Sequence, residues 1–167
     1  MEIRKAESKD ITIIMEIMNE AIVNTTSNYY YEVRTAEYVE RWFNQKQIEN
    51  LPLLVYELDG KTIAFGTYGP FRTKDAYKFT VEHSIYVHNN YRGKGIGKQL
   101  LIALIEKAKS GGMHTIIGGI DAANEGSYQF HKKLGFVEVG RFKEVGYKFD
   151  RWLDLVFMQL ILTNGNG

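Results

Sequence analysis

Apolar residues recur along this chain with two periods, one of strands and one of helices. After Glu2 to Ala6, which alternates as a strand does, Ile11, Ile14, Met15, Ile17, Met18, Ala21 and Ile22 follow helical spacing behind Asp10, a residue able to cap a helix start. Thr35 can cap a second helix carrying Tyr38, Val39, Trp42 and Phe43. The polar, aromatic stretch from Asn24 to Arg34 then becomes a connection between two helices and a candidate site wall. Leu53 to Leu58, Asp59-Gly60 and Lys61 to Tyr68 read as strand, turn and strand, because Asp and Gly accept the positive φ of a tight hairpin turn. Phe79 to Val87 predicts the next strand.

From Gly95 to Ser110 the residues Ile96, Leu100, Leu101, Leu104, Ile105 and Ala108 share one helical stripe, ended by Gly111-Gly112. His114 to Ile120 reads as a strand, Asn124 to Leu134 as a short helix closed by Gly135, and Val137 to Tyr147 and Trp152 to Leu162 as the last strands. The order β-α-α-β-β-β-α-β-α-β-β predicts an α/β (α+β) fold, a mixed sheet with helices on its faces. With 167 residues and 19.2 kDa the chain suits one domain, over 1–162, followed by a polar tail from Thr163 to Gly167.

Composition then narrows the chemistry. Lys and Arg number 21 against 20 Asp and Glu, so a net charge of +1 supplies no broad field for nucleic acid or an anionic membrane, and any anion site must be local. The absence of Cys excludes disulfides, zinc-thiolate sites and a thiol nucleophile, and suits a reducing compartment. The start, Met1 to Glu7, is not a secretory signal, and no stretch approaches the ~18 apolar residues of a bilayer span. A cytoplasmic location without membrane insertion is expected.

The most informative segment runs from Tyr86 through Arg92-Gly93-Lys94-Gly95-Ile96-Gly97-Lys98, where a strand enters a basic, glycine-rich turn and then an amphipathic helix. Unpaired N–H groups at a helix start and the positive end of its macrodipole favour phosphate oxygens; Arg92 and Lys94 add charge. A pyrophosphate is the natural guest. The nucleoside-triphosphate loop pattern fails at Arg92 and Gln99, and the spacing Gly93, Gly95, Gly97 does not match the dinucleotide fingerprint.

Arg92-Gly93-Lys94-Gly95-Ile96-Gly97 is similar to the R/Q-x-x-G-x-G/A motif of GNAT-type N-acetyltransferases, and the element order agrees along essentially the whole chain. Within that superfamily, the segments Phe79 to Val87, His131 to Phe136 and Gly146 to Asp154 resemble the phosphinothricin and methionine sulfoximine/sulfone acetyltransferases. The resemblance implies a mostly antiparallel sheet of about seven strands flanked by about four helices. It implies acetyl-CoA as cosubstrate, with Ile85, Tyr86 and Val87 pairing with the pantetheine arm, Arg92, Gly93, Lys94, Gly95, Ile96, Gly97 and Lys98 at the pyrophosphate, and Asn124 and Lys133 as further contacts. It also implies a small-molecule amine acceptor and a homodimer, to which the aromatic segment Gly146 to Leu162 could contribute an interface.

Acetyl transfer needs a neutral amine, donors for the developing oxyanion and often a proton for the departing thiolate. Read from its neighbours alone, Glu82 is either a solvated strand carboxylate or a desolvated base acting through water; the resemblance assigns it the base. His131 stands where many GNAT enzymes carry a tyrosine proposed to protonate the thiolate, with Tyr128 as the alternative donor. His83 shares a strand face with Val81, Ile85 and Val87 and reads as structural, while His88 begins a turn; neither has companions at metal-ligand spacing, so no metal is expected. For the acceptor the subfamily suggests Asp75, Ala76 and Tyr77, with Arg72 available for a carboxylate and Tyr29 as a wall. The rival readings are a same-fold enzyme acting on a protein N-terminus or an aminoglycoside, and a CoA-binding module without turnover.

Overall fold

The computed structural model describes residues 1–162, so the polar tail expected over 163–167 lies outside the described residues. Seven strands hydrogen-bond in the order β1-β2-β3-β4-β5-β7-β6, where β1 is Glu2–Lys5, β2 Leu53–Leu58, β3 Lys61–Pro70, β4 Thr80–Val87, β5 Thr115–Asp121, β6 Val137–Lys148 and β7 Arg151–Ile161. The β4–β5 pair is parallel, whereas β1–β2, β2–β3, β5–β7 and β6–β7 are antiparallel. The helices are α1 Ile11–Asn24, α2 Ala36–Ile48, α3 Ile96–Ser110 and α4 Glu125–Lys133. This is the mixed, mostly antiparallel α/β architecture expected, with element ends shifted by a residue or so. The last strand is placed between β5 and β6, an arrangement that chain order does not reveal.

The chain divides into two compact units, one formed by 1–68 and 84–107, the other by 69–83 and 108 onward. In the first unit, Ile14, Ile17, Met18 and Ile22 of α1 are buried with Val39 and Phe43 of α2 and Leu53, Val55 and Phe65 of the β2–β3 hairpin. Thr35 caps α2 as expected, its hydroxyl accepting from the Tyr38 N–H at 3.2 Å. The hairpin turn also forms as expected, with φ of +50° at Asp59 and +74° at Gly60. In the second unit, Ile116, Phe136, Leu153, Val156 and Met158 are buried. Its β6–β7 turn uses Phe149 and Asp150, both at positive φ, an unusual backbone for residues with side chains.

Asp10 does not cap α1 with its side chain. It ends a short 3-10 turn over Ser8–Asp10 and is buried, where its carboxylate accepts from both Arg4 Nη atoms, at 2.7 and 2.9 Å, from the Glu7 N–H at 2.8 Å and from the Thr62 hydroxyl at 2.7 Å. Arg4 also bonds Glu57. Burial alone would raise the Asp10 pKa, but the Arg4 hydrogen bonds, the Glu7 N–H and the Thr62 hydroxyl together leave it lowered. The side chain thus joins β1, the start of α1 and β3, which a cap would not do.

Asp10→Ala is expected to lower the unfolding free energy by about 1–3 kcal/mol in urea titrations at pH 7, because it leaves the Glu7 N–H and the Thr62 hydroxyl without their acceptor and Arg4 with Glu57 alone. The carboxylate's pKa is depressed by folding, so its contribution is complete above the unfolded value of ~3.9 and is lost as pH falls through the folded one.

Candidate active site

Strand β4 supplies both units, Ser84–Val87 to the first and Thr80–His83 to the second. Its ladder with β5 pairs Thr80, Val81 and Glu82 with Thr115, Ile116 and Ile117 and ends there, while β4 continues to Val87. Ile85, Tyr86 and Val87 therefore lie beyond that ladder, on a strand edge that an extended amide-bearing chain can join as an added strand would.

In the first unit β4 leads through a 3-10 turn, Asn89–Tyr91, into the glycine-rich turn. Gly93 and Gly95 have φ of +76° and +78°, and a Cβ built on either would meet nothing within 4 Å, so the backbone there is both strained for other residues and sterically open. The Gln99 N–H donates to Gly95 O at 3.2 Å, and by helix geometry the N–H groups of Ile96, Gly97 and Lys98 precede this first intrahelical donor. Lys94 and Lys98 are exposed beside them. Arg92 pairs with Glu20 of α1, and its Nε donates to Val87 O at 3.1 Å, contacts that anchor the turn.

The connection between α1 and α2 is fastened at both ends. Asn28 Nδ2 donates to the Tyr86 hydroxyl at 3.0 Å, and the Arg34 N–H and carbonyl bond the Asn19 side chain at 2.7 and 2.9 Å. Tyr29, the expected wall residue, lies on it and is 38% exposed.

In the second unit the carboxylate of Glu82 is half-buried. A Cβ added at Gly119 of β5 would lie 3.2 Å from Glu82 Oε1 and 3.5 Å from both Leu155 Cδ1 and Phe157 Cε1, which locates the carboxylate over that glycine beside two apolar side chains of β7. Burial raises the Glu82 pKa, and the positive charge of Arg72 partly opposes the rise. Arg72 lies 4.1 Å over the Phe71 ring, while Asp75, Ala76 and Tyr77 form an exposed 3-10 turn. Asn124 caps α4, its Oδ1 accepting from the Ser127 N–H at 3.1 Å, and Lys133 is exposed in the last turn of that helix.

His131 is buried on α4 and stacks on His83, with ring centroids 5.1 Å apart and planes 17° apart. Its Nδ1 lies 2.7 Å from the Ser127 carbonyl, which can only accept, so Nδ1 carries the proton and Nε2 is bare. The His83 Nε2, 3.1 Å away, must then donate to it, leaving His83 Nδ1 as a buried acceptor with no protein partner. Burial pushes the pKa of His131 down to about 4 and that of His83 down to about 3, the His131 charge adding to the latter, so the pair is neutral at pH 7. Tyr128, the alternative donor, hydrogen-bonds Glu138, which raises the phenol's pKa. Among the described residues no group of His, Asp or Glu side chains is arranged to hold a metal ion.

Sequence reasoning missed two features here. His83 reads as structural, and its buried ring is also the donor to His131 Nε2, a pairing between β4 and α4 that the sequence did not show. Gly118-Gly119 passes as ordinary strand, although a Cβ at Gly118 would lie 2.7 Å from His83 Nε2 and 3.1 Å from His131 Nε2. Paired glycines inside a strand were the available signal, since they mark close approach.

A strand that leaves its parallel neighbour, runs into an open glycine turn and starts a helix, with a desolvated carboxylate on the same strand, defines an acyl-transfer fold. Residues 3–157 match the Acetyltransferase (GNAT) domain, and the chain belongs to that family of N-acetyltransferases. It is 40% identical over 162 residues to an L-amino acid N-acyltransferase of Escherichia coli, covering 97% of this chain and 94% of that one. Identity is also 40% over 164 residues to an L-methionine sulfoximine/L-methionine sulfone acetyltransferase of Salmonella typhimurium, covering 97% and 95%. The solved phosphinothricin acetyltransferase of Sinorhizobium meliloti in complex with acetyl-CoA superposes with a TM-score of 0.94 at 34% identity, over 99% of this chain and 90% of that one.

The histidine pair sets a pH dependence of stability. Both pKa values are lowered by folding, so the unfolded chain binds more protons below ~6.5, and stability should fall by up to ~1.4 kcal/mol per histidine per pH unit between ~6.5 and about 4. Urea denaturation at pH 7 and 4.5 should show this loss in the parent and a flatter profile in the His83→Gln/His131→Gln variant.

Proposed function

We propose that this enzyme transfers acetyl from acetyl-CoA to the amine of a free L-amino acid or small analogue of the methionine sulfoximine, methionine sulfone or phosphinothricin type. The observation that carries the reading is the half-buried Glu82 carboxylate with the opposing charge of Arg72 acting on it, because an α-amino acid presents an ammonium and a carboxylate to just such a pair. L-amino acids, methionine sulfoximine, methionine sulfone and phosphinothricin, for which the relatives above are named, share that head group. The open backbone at Gly93 and Gly95 fits a diphosphate, since nothing of the protein occupies the space a side chain would take. When bound, acetyl-CoA supplies the activated acyl group, and everything else falls to this chain.

In this reading the edge of Ile85 to Val87 aligns the pantetheine arm, Gly93 to Lys98 hold the diphosphate, and Asn124 and Lys133 add contacts at the two ends of α4. Arg72 binds the acceptor's carboxylate; Asp75, Ala76, Tyr77 and Tyr29 enclose it. Glu82, held above the usual carboxylate range by burial, takes the ammonium proton through a water so that the neutral nitrogen can attack. His131 is the candidate to return a proton to the thiolate, with Tyr128 as alternative. His131 would give up the Nδ1 proton that it now donates to the Ser127 carbonyl, since its Nε2 is bare, and Tyr128 would release its hydroxyl from Glu138.

The enzyme works in this proposal as a cytoplasmic homodimer. Support for the dimer is the exposed apolar run of β6, the turn and β7, with Val145, Tyr147, Phe149 and Trp152 exposed by 54, 45, 51 and 60%. Among the described residues no helix is long and apolar enough to cross a membrane.

A thiol-release assay with amino acids, the three analogues, peptide N-termini and aminoglycosides tests the acceptor class. Turnover is expected with amino-acid head groups; turnover confined to peptides or aminoglycosides, or acetyl-CoA binding without any turnover, overturns the proposal. Glu82→Gln should lower kcat by about 10²–10⁴-fold and remove the acidic limb of the kcat/KM profile, a limb that lies above the usual carboxylate range in the parent.

A further inference from the structure

We propose that Phe157 is a specificity-determining residue, the wall against which the acceptor's side chain rests, and that it selects amino acids with an extended side chain. The inference rests on the reading of Glu82 and Arg72 as the amino-acid head-group site.

The argument begins with register. Phe157 of β7 lies directly opposite Gly119 of β5, and Gly140 of β6 lies opposite Phe157 on its other side. Neither of these two cross-strand neighbours carries a side chain, and the ring reaches across Gly119 toward Glu82: its Cε1 and Glu82 Oε1 lie 3.5 and 3.2 Å from the same point above that glycine. Leu155 Cδ1 lies 3.5 Å from that point as well. The ring is fixed in orientation by two edge contacts, to Phe71 at 6.0 Å and 88° and to Phe142 at 5.9 Å and 90°. Phe71 in turn carries the Arg72 guanidinium 4.1 Å over its face.

Arg72, Phe71, Phe157 and Glu82 thus form one continuous surface, a cation and an anion joined by aromatic rings. An amino acid whose carboxylate meets Arg72 and whose amine meets Glu82 has its side chain directed along the rings. Phe157 is only partly buried, so it keeps free surface for such a contact.

The test compares methionine sulfone with 2-aminobutyrate, acceptors that share the head group and differ in side-chain length, in the parent, Phe157→Ala and Phe157→Leu. Phe157→Ala should raise KM for methionine sulfone at least about tenfold, change KM for 2-aminobutyrate less than threefold, and leave the Glu82 acidic limb in place; Phe157→Leu should recover part of the loss. A uniform loss with both acceptors, or loss through kcat with KM unchanged, overturns the role of Phe157 while leaving the head-group reading intact. If the parent acetylates neither acceptor, the head-group reading itself is wrong. A variant that fails to fold, seen as loss of its melting transition, moves the comparison to Phe157→Leu, for which a smaller but still acceptor-selective rise in KM is required.

Discussion

Two consecutive positions of β5 have no room for a side chain. At Gly118 a Cβ would press into the paired rings of His83 and His131, and at Gly119, on the opposite face, it would crowd the carboxylate of Glu82. Because successive residues of a strand point to opposite faces, one glycine pair clears space on both sides of the sheet at once. Adjacent residues of β4 fill it in the same alternating manner, Glu82 over Gly119 and His83 over Gly118. The buried imidazoles and the half-buried acid are therefore consequences of a single local feature, and so is the reach of Phe157 across its side-chain-free partner.

The electrostatics follow the same economy. A chain of net charge +1 has no general field with which to draw an anion, so attraction has to come from a few oriented groups. Arg92, the side chain that composition points to first, is held by Glu20 and by the Val87 carbonyl. What faces outward is the amide row at the start of α3, whose partial charges are fixed by the helix and cost no reorganisation when an anion arrives. In the second unit burial acts on the two kinds of group in opposite directions. It raises the Glu82 pKa and holds both histidines neutral, since in each case the charged form is the one penalised.

The four α-helices and seven strands were legible in the amino-acid pattern, most to within a residue at their ends, because apolar spacing, Thr35, Asn124 and the Asp59-Gly60 turn are local signals with local causes; the end of α2 and the three short 3-10 turns were not. Asp10 is instructive in the other direction. Its position just before an apolar helical stripe makes it look like a cap, but the partners that claim it, Arg4 and Thr62, come from β1 and β3, and contacts of long sequence separation leave no mark in a local window.

By itself, then, the sequence determined the elements and the family motif in the glycine turn, since each depends on residues close together along the chain, while Glu82 was singled out through the family resemblance alone. Only the tertiary structure decided that β7 lies between β5 and β6, that His83 donates to His131, that Arg92 is occupied by Glu20, and that Phe157 stands beside Glu82. Those are juxtapositions of segments tens of residues apart, brought about by strand register and close packing, and no periodicity along the chain encodes them.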